Sequence, residues 1–217
     1  MATAHSRAEQ HVNVAALRPF TPYITSWSAE RAERPTVVER RSGIGYLDET
    51  VYDRDRHGVL WVRSLVRQGH GEPRFAIVHP LRQRRAMRQL LCNVCGGPAD
   101  RAEDGVLWLL SDLRDGWPSW PERMGVNEPP VCLPCVRVAS RMCPALRKGA
   151  VAVRAREHPI AGVHGLVYRT TGTVSPEPVE HTNVAYEDPA SRWVVASKLV
   201  RELRDCALIP LESLCPS

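Results

Sequence analysis

The sequence predicts an α+β fold: a mainly antiparallel sheet, a C-terminal helix packed on it, and a four-cysteine module inserted at about residues 81–144. Three observations carry this expectation. Short runs rich in β-branched and aromatic residues recur along the chain, separated by Gly- and Pro-bearing turns. A late segment from Pro189 to about Ala207 places apolar residues at helical spacing. Two Cys-x-x-Cys pairs, Cys92/Cys95 and Cys132/Cys135, flank a short hairpin-like piece.

Residues 1–43 read as an irregular N-terminal arm, punctuated by Pro19, Pro22 and Pro35, with an apolar piece at 12–17 too brief to fold alone. Residues 44–217 read as a single α+β domain. Its best early core strand is 58–62, Gly-Val-Leu-Trp-Val, and a turn at 69–73 leads to a second strand at 75–78. Residues 81–91 have helical composition and run directly into Cys92. The tetrapeptide Gly-Val-Leu-Trp at 58–61 recurs at 105–108, and both copies read as hairpin strands with a tryptophan anchoring the pleat. Proline-rich loop fills 117–130. Strands are expected at 150–154, 163–169 and 181–186.

Asp188-Pro189 then opens the final helix, with Asp as N-cap and Pro at the first helical position. Val195, Leu199, Leu203 and Cys206 form its buried stripe, and Lys198/Glu202 and Arg201/Asp205 are i, i+4 pairs on the outer face. One more extended segment follows at 208–211.

The chain has 217 residues, 43% hydrophobic and 24% charged. That composition is globular and excludes disordered, collagen-like and membrane-spanning classes. Stretches free of Asp, Glu, Lys and Arg reach only 11 residues, against about 18 for a spanning helix. His5, Arg7, Glu9, His11 and Arg18 interrupt the first 20 residues before an apolar leader core can form. Seven cysteines, an odd number with two Cys-x-x-Cys pairs, point to metal ligation plus free thiols. The expected compartment is therefore a reducing cytoplasm.

With 29 basic and 24 acidic side chains the formal net charge is +5, and all the basic residues except Lys148 and Lys198 are arginine. GC-rich codon usage explains that bias, and so does a demand for phosphate or stacking contacts. A pI near 9.0 is compatible with nucleic acid as partner and does not require it.

In Cys92-Asn93-Val94-Cys95-Gly96-Gly97 two thiolates two residues apart can converge on one ion, while the glycines let the backbone turn beneath the sulfurs. Cys132-Leu133-Pro134-Cys135 opens a predicted helix from Pro134 to about Met142, ended by Pro144. Both cysteines of this pair sit where the helix dipole favours thiolate. Four thiolates suit Zn2+, whose closed tetrahedral shell is structural and leaves no open position for a substrate. An iron–sulfur cluster and redox-active pairs are the alternatives.

A knuckle, a hairpin, and a helix whose first turn supplies the second cysteine pair resemble a treble-clef zinc module. Arg84, Arg85 and Arg88 ahead of Cys92-x-x-Cys95-Gly96 are similar to the lead-in of zinc-bearing HNH nucleases. That family uses histidines in the hairpin and helix to activate water and hold a catalytic divalent ion. No histidine occurs from residue 91 to 157 here, so the resemblance does not extend to nuclease chemistry. The whole chain also resembles a group of proteins from GC-rich actinomycetes, which implies no particular activity.

Two basic clusters flank the cysteines. Arg82, Arg84, Arg85 and Arg88 make one, and Arg137, Arg141, Arg147, Lys148, Arg154 and Arg156 the other, with an acidic stretch at 100–128 between them. They can neutralise a zinc–tetrathiolate centre of net charge −2. Alternatively Arg84, Arg85, Arg88, Arg137 and Arg141 form one phosphate-contacting face, with Trp108, Trp117 and Trp120 as stacking surfaces. The leading functional expectation is a zinc protein that binds nucleic acid or a protein partner through that face. A second is a small-molecule or peptide-modifying enzyme whose active site lies near 117–130 and 158–164, with Cys143, His158 or His164 as candidate reactive groups. A third is a purely structural or adaptor component. Phosphate loops, dinucleotide fingerprints, Gly-x-Ser-x-Gly and His-Glu-x-x-His are absent from the sequence.

Overall fold

The structure, a computed structural model, describes residues 21–116, 118–144, 146 and 149–214. The 12–17 piece, Trp117, Arg147 and Lys148 lie outside the described residues. The first half runs β1 (Thr25–Trp27), β2 (Val37–Arg40), β3 (Gly43–Tyr46), β4 (Leu60–Trp61), β5 (Pro73–Val78) and α1 (Pro80–Gln89). Next come β6 (Arg101–Ala102), β7 (Gly105–Ser111), β8 (Gly125–Val126) and α2 (Leu133–Met142). The rest is β9 (Ala150–Glu157), β10 (Ile160–Arg169), β11 (Glu177–Ala185), β12 (Val194–Glu202), β13 (Arg204–Ile209) and a single turn, α3 (Leu211–Leu214).

The architecture mixes helix with mostly antiparallel sheet. One sheet has the order β11-β10-β12-β4, with β8 also paired to β12, and a second has the order β13-β9-β7-β6. Among the described strands only β4 runs parallel to its neighbour, β12. Two ribbons, β1-β5 and β2-β3, complete the set. Because β12 passes into β13 across Leu203, one continuous piece of chain ties the two sheets together.

Side-chain alternation decides what each face of the second sheet meets. From β7, Val106, Trp108 and Leu110 face one core with Val151, Val153 and Ala155 of β9. Leu107 and Leu109, with Ala152, face the other way, against Val136 of α2 and Cys92. The cysteine module is thus built on one face of this sheet. Helix α1 covers the first sheet, where Met87 packs with Trp61, Val163, Val194, Ala196 and Leu199.

The predicted helix at 189–207 is corrected. Its start is helical, since the Asp188 carboxylate accepts from the Ala190 N–H at 2.8 Å, but the coil is a 3-10 turn over Pro189–Trp193. The chain then extends as β12 and β13. Both faces of β12 are buried, so no polar–apolar alternation marks it as strand. A register shift, in which Gly165 pairs with Ala196 but His164 with Lys198, breaks the remaining period of two. Val194, Ala196 and Leu199 fall in one core and Val195 in another, a spacing that imitates a helical stripe.

Smaller differences concern the N-terminal half. β1 and β2 fall within the segment read as irregular, and the 58–62 strand contracts to the two residues of β4. The 208–211 segment divides between the end of β13 and the start of α3.

Candidate metal centre

The four cysteines come together. The sulfurs of Cys92, Cys95, Cys132 and Cys135 all lie within 4.8 Å of one another, so they could hold a metal ion. Cys95 and Cys132 are 3.7 Å apart, sulfur to sulfur. Two thiolates at about 2.3 Å from one tetrahedral ion stand about 3.8 Å apart, so this spacing fits without rearrangement.

Local backbone chemistry sets each sulfur in place. Helix α1 ends at Leu90, which adopts the left-handed conformation (φ 52) with its N–H on the Ala86 carbonyl. That stop turns the chain toward Cys92. The knuckle closes through the Cys92 N–H on the Gly97 carbonyl at 2.7 Å and the Gly96 N–H on the Cys92 carbonyl at 2.9 Å. Gly96 has φ 73, and a Cβ there would fall against the Tyr23 ring. The position therefore requires glycine for conformation and for space. Tyr23 in turn donates its N–H to the Val94 carbonyl at 2.7 Å.

The second pair is presented by α2. Cys132 is its N-cap residue (φ −93, ψ 154), and the N–H groups of Cys135 and Val136 both reach the Cys132 carbonyl. Two backbone bonds lash the pairs together: Asn93 N–H to Pro130 carbonyl, 2.9 Å, and Asp100 N–H to Val131 carbonyl, 3.0 Å. Cys92 is buried, Cys132 and Cys135 are half-buried, and Cys95 is exposed.

Crowding four thiols without a cation is electrostatically awkward. Burial and the neighbouring sulfurs push Cys135 far up, and burial raises Cys132 to about 11. Burial also acts to raise Cys95, but the Gly97 N–H and the adjacent thiols outweigh it and bring Cys95 down. The leading influences on these three come from burial, backbone and sulfur, with no arginine among them.

The five arginines expected to form one face lie on two helices packed on different sheets. Arg85 and Arg88 on α1 are exposed, as are Arg137 and Arg141 on α2. Arg84 is half-buried, with its guanidinium 4.1 Å above the centroid of the Trp61 ring. Its Nε is buried without a hydrogen-bond partner. None of these five makes an ion pair among the described residues, whereas other members of the two basic clusters are committed to acids. Arg82 is buried against Glu30 at 2.6 Å, Arg154 pairs with Asp100 and Asp104, and Arg156 pairs with Asp205. Of the proposed stacking tryptophans, Trp108 is fully buried and Trp120 is 6% exposed, so neither offers a ring face. Trp61, expected only as a strand anchor, lies beneath the Arg84 guanidinium.

The reactive groups considered for an enzyme are dispersed into structural roles. His158 is held by Arg201, which donates to its carbonyl and ring, and His164 meets the Asn183 side chain at 3.0 Å. Neither hydrogen-bonds to Cys143, the C-cap of α2. The cavity beside Arg40 and Arg192 and the one beside Arg114 and Glu212 are lined by no residue of 117–130 or 158–164.

No family model, curated protein or solved structure matches the chain. The resemblances to HNH nucleases and to the actinomycete group therefore gain no support from comparison.

Proposed function

We propose that the chain is a structural zinc protein that binds nucleic acid through the arginines of α1 and α2. The observation that carries the metal reading is the convergence of four cysteine sulfurs within 4.8 Å of one another, one pair of them 3.7 Å apart. Four soft anionic ligands select zinc over harder cations and fill its shell, so the ion would serve as a staple between the knuckle and α2. Knuckle, β6-β7 hairpin and α2, in that order, are what a treble-clef reading requires. Binding energy of on the order of 10 kcal/mol or more makes such an ion part of folding.

The nucleic-acid reading rests on Arg85, Arg88, Arg137 and Arg141, which are exposed and make no ion pair among the described residues, while Arg84 is packed on Trp61 beside them. Guanidiniums without carboxylate partners retain their donors for phosphate oxygens.

The test is fluorescence anisotropy with mixed single- and double-stranded oligonucleotides across a salt series, beside a zinc assay. One zinc per chain and binding that weakens steeply with salt are expected, the slope falling by about 0.7–0.9 for each phosphate contact removed. Arg85→Ala with Arg88→Ala is the informative pair, because both side chains are exposed. Binding unaltered in that variant and in Arg137→Ala with Arg141→Ala would refute the arginine reading. Affinity lost without any change in salt slope points instead to a protein-type surface.

A further inference from the structure

A cavity of about 440 Å3 lies between the β2-β3 hairpin and the 3-10 turn, and nothing above assigns it a role. It opens where the β2-β3 turn meets the 3-10 turn at Pro189–Trp193 and the loop at 54–58. Its wall is formed by Arg40, Ser42, Gly43, Arg54, His57 and Arg192, among others, and no carboxylate lines it. These residues are remote in sequence. Gly43 brings them together: at φ 137, a Cβ there would fall on the Arg192 carbonyl oxygen, so only glycine lets the hairpin close on the 3-10 turn.

The charges of the wall are not equivalent. Arg54 is spent on Glu49 in a two-pronged pair at 2.6 and 2.9 Å, and also donates to the Gly58 and Ile44 carbonyls at 2.7 Å each. It holds the shape of the cavity and adds no net charge. Arg40 makes one bond, to the Tyr46 carbonyl at 2.9 Å, and keeps its other donors. Arg192 is exposed and makes no side-chain hydrogen bond or ion pair among the described residues.

His57 adds a ring N–H and a flat surface. The Arg56 Nε donates to His57 Nε2 at 3.1 Å, so in the neutral ring the proton sits on Nδ1. The ring is stacked on Tyr186 with centroids 3.8 Å apart. Tyr186 is fixed from below by its hydroxyl, which donates to Asp55 at 3.0 Å. Asp55 is fully engaged elsewhere, accepting from the His57 and Val59 N–H groups and the Trp61 indole as well.

Two uncompensated guanidiniums, a hydroxyl and a ring N–H, with no acid on the wall, select a compact dianion. A phosphate monoester carries about −1.5 to −2 at neutral pH and presents three acceptor oxygens. The volume falls within the roughly 300–1,000 Å3 of small-molecule sites, which leaves room for an organic group beyond the phosphate. We infer that this cavity binds a small phosphate monoester, with Arg40 and Arg192 on the phosphate. The inference is independent of the nucleic-acid reading, since it uses none of those five arginines.

The experiment is isothermal titration calorimetry of the full chain, zinc-loaded and at low ionic strength, with ribose 5-phosphate and AMP as probes and adenosine as control. Saturable one-to-one binding of both phosphates and none of adenosine is expected. Arg192→Ala, which sacrifices no hydrogen bond in the fold, should weaken both probes by about tenfold or more, as loss of a charge-assisted contact does. Arg192→Glu should abolish binding. Absence of binding by either phosphate in the wild-type chain overturns the inference. So does equal binding by the Arg192 variants, or adenosine binding as well as AMP. AMP binding without ribose 5-phosphate binding overturns it too, because the base rather than the phosphate would then carry recognition.

Discussion

The guanidinium of Arg84 lies 4.1 Å above the Trp61 ring, joining α1 to β4 through a cation–π contact. Arg84 is held from below by an indole that itself donates to Asp55 at 3.0 Å. Burial, and next the nearby Arg88 charge, lower its pKa. Arg84→Ala should therefore cost stability, by about 1 kcal/mol in urea unfolding. Arg85→Ala and Arg88→Ala, on the exposed side of the same helix, should stay within about 0.5 kcal/mol of wild type. Equal losses at all three positions would contradict the distinction drawn between packed and free arginines.

Metal removal should unfold the cysteine module. Cys92 contributes to the same core as Leu107, Leu109, Val131 and Val136, so a sulfur that could bind metal is also part of the packing. Cys92→Ser is expected to abolish stoichiometric zinc and to produce a large loss in melting temperature. Chelation of the wild-type chain should give the same low-melting species. An unchanged melting curve in excess chelator would rule out a structural ion.

The buried pair Glu30–Arg82 ties α1 to the N-terminal segment. The Glu30 carboxylate takes both Arg82 nitrogens at 2.6 Å and also accepts from the Trp27 and Arg67 N–H groups. Glu30→Ala would strand Arg82 in the interior at a cost of about 3–5 kcal/mol. Urea unfolding of Glu30→Ala beside Glu30→Ala/Arg82→Met checks this, since the double variant should recover much of the loss. A single variant with wild-type stability would refute it.

Acid should destabilise the fold in two steps. Burial lowers the pKa of His79, His158 and His164 below 6.5. The unfolded chain thus binds more protons as pH falls below that value, and stability declines. Burial works against ionised Glu30, but Arg82 and two backbone N–H groups prevail and bring it to about 2, and Arg63 brings Asp53 to about 2. Their contribution is complete above about pH 4.5 and is lost as pH falls toward 2. Urea midpoints measured from pH 8 to pH 2 should show both declines, and a midpoint flat from pH 7 to 5 would exclude the histidine step.

Gly43→Ala should separate the β2-β3 hairpin from the 3-10 turn. The added methyl would meet the Arg192 carbonyl, and φ 137 is a conformation that alanine avoids. A loss of about 2 kcal/mol or more is expected. The variant should also lose phosphate binding in the calorimeter while keeping its zinc.

The cysteine cluster was legible because ligand spacing is written in residue types, and both helices beside it carry local signals: Pro80 and Pro134 at their starts, and a turn or a proline at their ends. The 189–207 segment was misread because burial on both faces removes the contrast on which periodicity depends. Arg82 and Arg88 share a helix and a charge, yet one is buried on Glu30, 52 residues away, and the other faces solvent. Which arginine is free depends on where distant acids fold, and no local pattern records that. Arg40 and Arg192 escaped notice for the same reason, since their cavity exists only once the hairpin has docked.

Gln83 has a role that resembles a missing strand. Strand β12 is paired along one edge by β4 at Val195 and Ala196 and by β8 at Arg201 and Glu202, leaving a gap at Leu199. The fully buried Gln83 amide fills it: Nε2 donates to the Leu199 carbonyl at 2.9 Å, and Oε1 accepts the Leu199 N–H at 2.9 Å. A side chain thus imitates one peptide unit, and it belongs to the helix that delivers Cys92. Deuterium uptake at the Leu199 amide should therefore report how firmly α1 is seated, read from the other sheet.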